Sequence, residues 1–259
     1  MNTAALRVLL TLTLVSHGLP TLAAGENDAN LVEAVGRGDQ HIIKLMMDMG
    51  ANPRGTDRSG NTAVLAAAAQ GNLALARKFA DLGSDIDSKG GTGFTPLGIA
   101  ALNGDVRMVE FLIKSGAQLD TRNDNGGTAL TNALDAGNNR IADMLVKAGA
   151  DVDIANRDGL TPLMLVLQED KPDAALLDEI LARKPDLRAT DAEGRSALFI
   201  VILQHKQSMT GRLLAMGANP NQLALGYRPL HWAEVFGEPA IVQLLVAAGA
   251  KPARLVGGM

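Results

Sequence analysis

Gly93-Phe94-Thr95-Pro96-Leu97-Gly98-Ile99-Ala100 decides the reading, because its centre recurs along the chain on a fixed beat. Thr95-Pro96-Leu97 has counterparts at Thr62-Ala63-Val64, Thr128-Ala129-Leu130 and Thr161-Pro162-Leu163, each 33 residues from the next. Ser196-Ala197-Leu198 and Arg228-Pro229-Leu230 continue the series at steps of 35 and 32. A second marker, Gly83-Ser84, Gly116-Ala117, Gly149-Ala150, Gly217-Ala218 and Gly249-Ala250, follows 21 residues after its tripeptide, and Gly50-Ala51 precedes the series. Self-similarity at this period means stacked copies of one small unit, none able to bury its apolar face alone.

The copy from Asn123 to Asp153 shows what one unit does. Asn123-Asp124-Asn125-Gly126-Gly127 is a dense turn cluster, expected at the tip of a tight hairpin. The Thr128 hydroxyl then caps a helix start. Where proline follows, as at Pro96, Pro162 and Pro229, it takes the first helical position, where its missing N–H is harmless. Leu130, Ala133 and Leu134 make an apolar stripe, and Gly137-Asn138 ends the helix through a left-handed residue. A second helix follows with Ile141, Met144, Leu145 and Val146 inward and Asn139, Arg140, Asp143 and Lys147 outward.

A hairpin followed by two antiparallel helices, with Thr-Pro-Leu, an alanine, a glycine and Gly-Ala at these offsets, resembles the ankyrin repeat. Tyr227-Arg228-Pro229-Leu230-His231-Trp232-Ala233 matches that pattern as Gly93 to Ala100 does. The resemblance implies an all-α ankyrin-repeat α-solenoid of helix–turn–helix units joined by short β-hairpin loops. Its expected divisions are a capping unit over 25–56, then six repeats over 57–89, 90–122, 123–155, 156–190, 191–222 and 223–251, and a tail over 252–259. The cap lacks the tripeptide but keeps Leu31, Ala34, Gly38-Asp39, Ile42-Ile43, Leu45-Met46 and Gly50-Ala51. The array is read as one elongated domain and as a monomer.

Composition fits short, closely stacked helices: 47% of residues are hydrophobic but only 3% are aromatic. Net charge is −4, and −5 once Arg7 leaves with the leader. Without a dense basic run, binding to nucleic acid or to an anionic lipid surface is not expected. There is no cysteine, which excludes disulfides, thiolate metal sites and cysteine nucleophiles.

The first 24 residues set the address. One cation, Arg7, precedes apolar Val8 to Val15, then come helix-breaking Gly18 and Pro20 and small Ala23 and Ala24. This is the order of a secretory signal cleaved after Ala23 or Ala24, and the periplasm is the expected location. The apolar run is too short to span about 30 Å of hydrocarbon, so membrane insertion is not expected after cleavage.

The fifth step departs from the pattern. Asp170 stands in for the glycine inside Gln168-Glu169-Asp170-Lys171-Pro172-Asp173, two residues are added, and Lys184-Pro185 replaces Gly-Ala. Asp170 is the expected cap of the second helix, with Pro172 at its start. A tolerated loop insertion and a bend that shapes a groove both remain open. The C-terminus is poorly closed, with Ala240, Leu244, Ala247 and Ala248 where charge is usual, so either the tail or a partner covers it.

In ankyrin-like arrays, partners meet hairpin tips and the exposed side of the first helices. Carried over by register, this gives Arg58, Ser59, Asn61, Ala69 and Gln70, then Phe94, Leu102 and Asn103. Asp124, Asn125, Asp135, Arg157, Asp158, Leu160, Gln168, Glu169, Glu193, Arg195 and Gln204 follow, then Leu225, Tyr227, Val235 and Phe236. Phe79, Phe111 and Phe199 fall on core positions, whereas Phe94, Tyr227 and Phe236 fall on exposed ones, with Trp232 on the last first helix. The candidate partner-binding residues are therefore Phe94, Leu102, Leu225, Tyr227, Trp232, Val235 and Phe236. Cover for a weak terminal repeat is the alternative role for these rings. Acidic tips at Asp124, Asp158, Glu169 and Glu193 suit steering of a basic partner or plain solvation.

Recognisable reaction chemistry is lacking. His41, His205 and His231 occupy different slots in different repeats, so no metal site, cofactor or catalytic group is assigned. His231 stands in the motif's own histidine slot, where the resemblance implies a hydrogen bond between neighbouring hairpins. Asp151 and Asp153 are repeated hairpin residues and poor candidates for an acid–base pair. The chain resembles secreted bacterial ankyrin-repeat proteins, some of which support a periplasmic catalase in oxidative-stress defence. The expected function is a non-enzymatic periplasmic protein-binding scaffold. An immunity protein that neutralises a toxin in the periplasm, or a secreted host-directed effector, is the alternative.

Overall fold

The computed structural model describes residues 24–252, so the cleavage site and the tail beyond 252 lie outside the described residues. Among these residues fourteen helices follow one another in pairs. They are α1 (Ala24–Arg37) and α2 (Gln40–Asp48), α3 (Ala63–Gln70) and α4 (Leu73–Asp81), α5 (Pro96–Asn103) and α6 (Val106–Lys114), and α7 (Ala129–Asp135) and α8 (Asn139–Ala148). Then come α9 (Pro162–Gln168) and α10 (Ala174–Ala182), α11 (Ala197–Leu203) and α12 (Gln207–Ala215), and α13 (Pro229–Val235) and α14 (Pro239–Ala247). Sheet pairing is limited, among the described residues, to antiparallel bridges Thr56–Thr62, Thr190–Ser196 and Ala224–Tyr227. The chain divides into two compact units between Ile99 and Ala100, inside α5.

Local chemistry starts each first helix as the tripeptide implies. The hydroxyls of Thr62, Thr95, Thr161 and Ser196 accept from the backbone N–H three residues on. At Thr128 the cap is reciprocal, because the Thr131 hydroxyl also accepts from the Thr128 N–H at 2.8 Å. Such caps satisfy donors that the first turn leaves unpaired, worth about 1 kcal/mol each. Arg228 has no side-chain cap, leaving α13 to Pro229 alone.

In the first unit α1 packs on α2 and α3, and α3 packs on α4. Leu31, Val35, Ile43, Val64, Leu75 and Phe79 form its core. Asp28 ties the start of the cap to its end, its carboxylate accepting from the Asn52 N–H at 2.7 Å. Gly90 lets the second hairpin close on the first, since a Cβ there would stand 2.1 Å from the Asn61 side-chain oxygen.

The second unit has two rows. One is α7, α9, α11 and α13, each packed on the next; in the other, α6 meets α8, α8 meets α10, and α12 meets α14. Leu130, Leu145, Leu163, Ile180, Phe199, Leu213 and Ile241 fill the space between. Burying each such side chain contributes roughly 1.5–3 kcal/mol. Side chains also tie one repeat to the next: Asp120 accepts from the Asp151 N–H, Asp153 from the Asp186 N–H and Asn221 from the Lys251 N–H, at 2.7–3.0 Å. The Asp151 carboxylate in turn accepts from the Asp153 N–H at 2.8 Å, so both Asp151 and Asp153 serve as acceptors for backbone N–H groups.

The fifth step corrects one expectation. The cap of α10 is Asp173, whose carboxylate accepts from Ala175 and Leu176 N–H groups, and not Asp170. Glu169 leaves α9 in an extended conformation, so the two added residues turn through 170–172 and put Pro172 ahead of the cap. Lys184 then takes the left-handed φ of +56° that glycine holds at the end of the other second helices.

The lengthened turn exposes the carbonyls that end α9, and the next repeat covers them. Lys206 Nζ donates to the Leu167 and Glu169 carbonyls at 3.1 and 2.7 Å, and the Gln204 amide to the Gln168 carbonyl. Asn138, at the same helix-start position of α8, donates to the carbonyls of Ala101 and Leu102. A longer, charged side chain thus takes the part that Asn138 plays, at a helix end that favours positive charge. On the other side, Arg212 of α12 reaches Asp178 of α10 as a surface ion pair.

Candidate partner-binding surface

Hairpins and first helices build the face on which a partner is expected, and the last hairpin is made differently from the others. In the regular ones an Asp or Asn carries the turn. Asp57, Asn123, Asn156 and Asp191 each accept from N–H groups two and four residues on, at 2.8–3.1 Å. In the second unit these hairpins are linked, Arg157 N–H to the Asn125 carbonyl and Ala192 N–H to the Asp158 carbonyl.

The step of 32 removes one hairpin residue, so Ala224 holds the place of the Asp or Asn and pairs with Tyr227 through two main-chain bonds. Leu225 and Gly226 make the turn, with φ of +53° and +82°. This two-residue turn needs left-handed residues at both positions and normally carries Asn-Gly. Leucine there costs about 1–2 kcal/mol. Among the described residues no main-chain bond joins this hairpin to the one at 191–196.

A continuous strip of rings lies beside that hairpin. Trp232 is at its centre, with ring centres 5.7 Å from buried Phe199, 5.8 Å from Tyr227 and 5.9 Å from Phe236. Its indole N–H points at the Ala224 carbonyl, 3.4 Å away. His231 stacks on Tyr227 at 4.3 Å, and His205 meets Phe236 edge-on at 5.5 Å. His205 also holds Glu238, its Nδ1 2.6 Å from the carboxylate, from a left-handed position that other first helices give to glycine.

The candidate residues fare unequally. Leu225, Tyr227, Val235 and Phe236 are exposed, Val235 by 60%. Trp232 is half-buried and acts as the platform under Tyr227 and Phe236. Phe94, expected to be exposed, is half-buried in the first unit, where its carbonyl closes the hairpin to the Gly90 N–H. Leu102 in the second unit is exposed and stands apart from the rings. The core rings are as read: Phe79, Phe111 and Phe199 are buried. His231 is placed in the ring stack, against Tyr227 and Trp232.

Two exposed apolar residues escaped the register argument, Leu223 and Val246. Leu223 sits just before the shortened hairpin, where the missing residue shifts the count; Val246 lies on α14, the second helix of that repeat. Of the ten large hydrophobic side chains exposed among the described residues, six (Leu223, Leu225, Tyr227, Val235, Phe236 and Val246) belong to the last repeat. Exposed apolar surface gathered in one place marks an interaction site more often than scattered residues do.

Charge lies further along the same face. Arg195 is held by Asp191 at 2.6 Å and by Glu193 at 3.0 Å. At the end of α7, burial pushes the Asp135 carboxyl above its ordinary value; a hydrogen bond from Asn156 opposes this, and the Asp158 charge adds to it. Between α9 and α11, Gln168, Arg195, Ile200, Leu203 and Gln204 line a cavity of about 230 Å³. In the first unit, α1, the hairpin at Asp57–Asn61 and α3 enclose an open groove of about 760 Å³, lined by Arg58, Ser59, Asn61 and Ala69.

Helix pairs, hairpins and capped starts recur at the sequence period, and a family model for ankyrin repeats in three copies matches residues 31–123, 66–156, 97–177 and 163–254. The chain belongs to the ankyrin-repeat family. Its fold is the all-α ankyrin class expected from the tripeptide series. No match is found among curated proteins. Ankyrin repeats typically mediate protein–protein binding, and the family is generally a non-enzymatic interaction module; protein–protein interaction is the coarse function of this chain. No helix among the described residues is long and apolar enough to cross a membrane.

Proposed function

We propose that this ankyrin-repeat protein is a periplasmic, monomeric, non-enzymatic scaffold that holds another protein against its last repeat. The observation carrying the reading is the gathering of exposed Leu225, Tyr227, Val235 and Phe236 in the last repeat, with Tyr227 and Phe236 packed against Trp232. Large aromatic and aliphatic anchors dominate binding energy at protein interfaces. The strained Leu225 turn supports the same reading, because strain of this kind gathers at functional surfaces. The periplasmic address rests on the leader pattern before Ala24.

Support of a periplasmic catalase in oxidative-stress defence is the finer form of the proposal, and it rests on resemblance to secreted bacterial ankyrin proteins alone. Toxin immunity and export as a host-directed effector are its competitors. Peroxide sensitivity on deletion favours the first, and a toxin gene next door favours immunity.

The test is a double substitution, Tyr227→Ala with Phe236→Ala, followed by crosslinking in the native periplasm and mass identification of the captured protein. Capture is expected to disappear while the thermal melt stays nearly unchanged. Capture as strong as in the unaltered protein removes the proposed surface. A collapsed melt assigns the rings to structural cover.

A further inference from the structure

We infer that the last repeat, α13 with α14, opens from the stack as one unit while the repeats before it stay folded, and that Trp232 against Phe199 is the contact that latches it. Its consequence for capture rests on the scaffold reading above. The ring strip is assembled only while the repeat is shut, so a partner seated on the strip holds the repeat closed.

Both helices of the last repeat start without a side-chain cap, α13 behind Arg228 and α14 behind Glu238. In each of the five repeats before it, at least one of the two starts is capped. An uncapped start leaves first-turn N–H groups to water alone. Burial is thin as well: α13 and α14 bury three and two residues, where α9 and α10 bury five and four. The cause lies in the sequence. His231 and Glu234 occupy the slots in which Met164 and Leu167, then Phe199 and Ile202, are at most 1% exposed. The Ala224–Tyr227 hairpin has no main-chain link to the hairpin before it, and the left-handed strain at Leu225 is released when it opens.

Against this stand the buried Leu230, Ala233, Ile241 and Leu245, and three ties of other kinds. Asn221 donates to the Gly249 carbonyl and accepts from the Lys251 N–H, His205 holds Glu238, and Trp232 meets Phe199 edge-on at 5.7 Å. The Trp232 contact is the one that joins α13 to a fully buried ring of α11. Because α13 packs on α14, the two helices come away together. The first helix pair is built more firmly. Asp39 caps α2, Asp28 accepts from the Asn52 N–H, and Leu31, Val35 and Ile43 are at most 1% exposed. The opening therefore belongs to the last repeat and is not a fraying shared by both ends of the array.

The experiment is hydrogen exchange of the full chain, followed by mass spectrometry in urea too dilute to unfold it. Amides of 229–247 are expected to exchange together, about tenfold faster than those of 162–182 and of 24–48. Emission of Trp232, the sole tryptophan of the chain, is expected to red-shift at urea concentrations where far-UV circular dichroism keeps most of its native signal. Two separate substitutions sharpen the test: Arg228→Thr restores the capping hydroxyl, and Leu225→Asn relaxes the turn. Each is expected to slow exchange in 229–247 about fivefold and to leave 162–182 unchanged. Uniform exchange, or emission and dichroism changing together, overturns the inference and leaves the scaffold reading standing. Equal exchange in 24–48 and 229–247 overturns it as common end fraying. Exchange in 229–247 indifferent to both substitutions overturns it as well.

Discussion

The hairpins at Asn156–Leu160 and Ala224–Tyr227 occupy equivalent places in their repeats and are built for different ends. The first satisfies its own backbone: Asn156 accepts from Asp158 and Leu160 N–H groups, and its neighbours link it to the hairpins before and after. The second gives up the turn-forming side chain and the linkage to the hairpin before it, and sets a leucine in a left-handed turn that exposes it. The interior repeats also hold left-handed non-glycine residues, Lys184 and His205, but just past helix ends and not in a hairpin. The last repeat carries strain and exposed rings, and such departures from local consistency are expected where a protein meets something else.

Phe199→Ala should break the comparison from beneath. Phe199 is fully buried and supports Trp232, so its loss should cost about 3–5 kcal/mol in denaturant unfolding and red-shift the Trp232 emission. If emission stays put, the platform does not depend on the core ring. Asn156→Ala should lower stability by about 1–2 kcal/mol, because two N–H groups lose their acceptor. Leu225→Asn is the mirror experiment. It installs Asn-Gly in the two-residue turn and should raise stability by about 1 kcal/mol while weakening partner capture. Loss of stability would mean that Leu225 is packed for structure.

The smallest effect concerns Asp135. Its folded pKa is raised above the ordinary 3.8, so the folded state binds more protons than the unfolded state just above that pH. Stability therefore falls as pH climbs through that window. Asp135→Asn should remove this slope and raise neutral-pH stability by less than about 0.5 kcal/mol. A steeper slope in the variant would reverse the sign of the local field.

Much of this was legible from residue types alone. A hydroxyl before an apolar helix can hardly avoid capping it, so Thr62, Thr128 and Ser196 do what their position implies. Scarce rings could be sorted by helical phase into the buried Phe79, Phe111 and Phe199 and the exposed Tyr227 and Phe236. Where the period slips, phase stops being informative. Two extra residues after Gln168 moved the cap from Asp170 to Asp173, and one residue fewer before Tyr227 put Leu225 in a left-handed turn. The half-burial of Phe94 and Trp232 escaped phase as well, since Trp232 leans on Phe199 from the preceding repeat. Likewise, nothing in the composition of Lys206 says that its chain reaches back to the end of α9.

Site-specific photocrosslinking in the native cell tests the central claim most directly. A photoreactive residue at position 236, on the ring strip, is compared with one at position 147, on the outward side of α8. The account predicts one defined adduct from position 236, of the same mass in repeated preparations, and none above background from position 147. Adducts of equal yield and identity from both positions would contradict it.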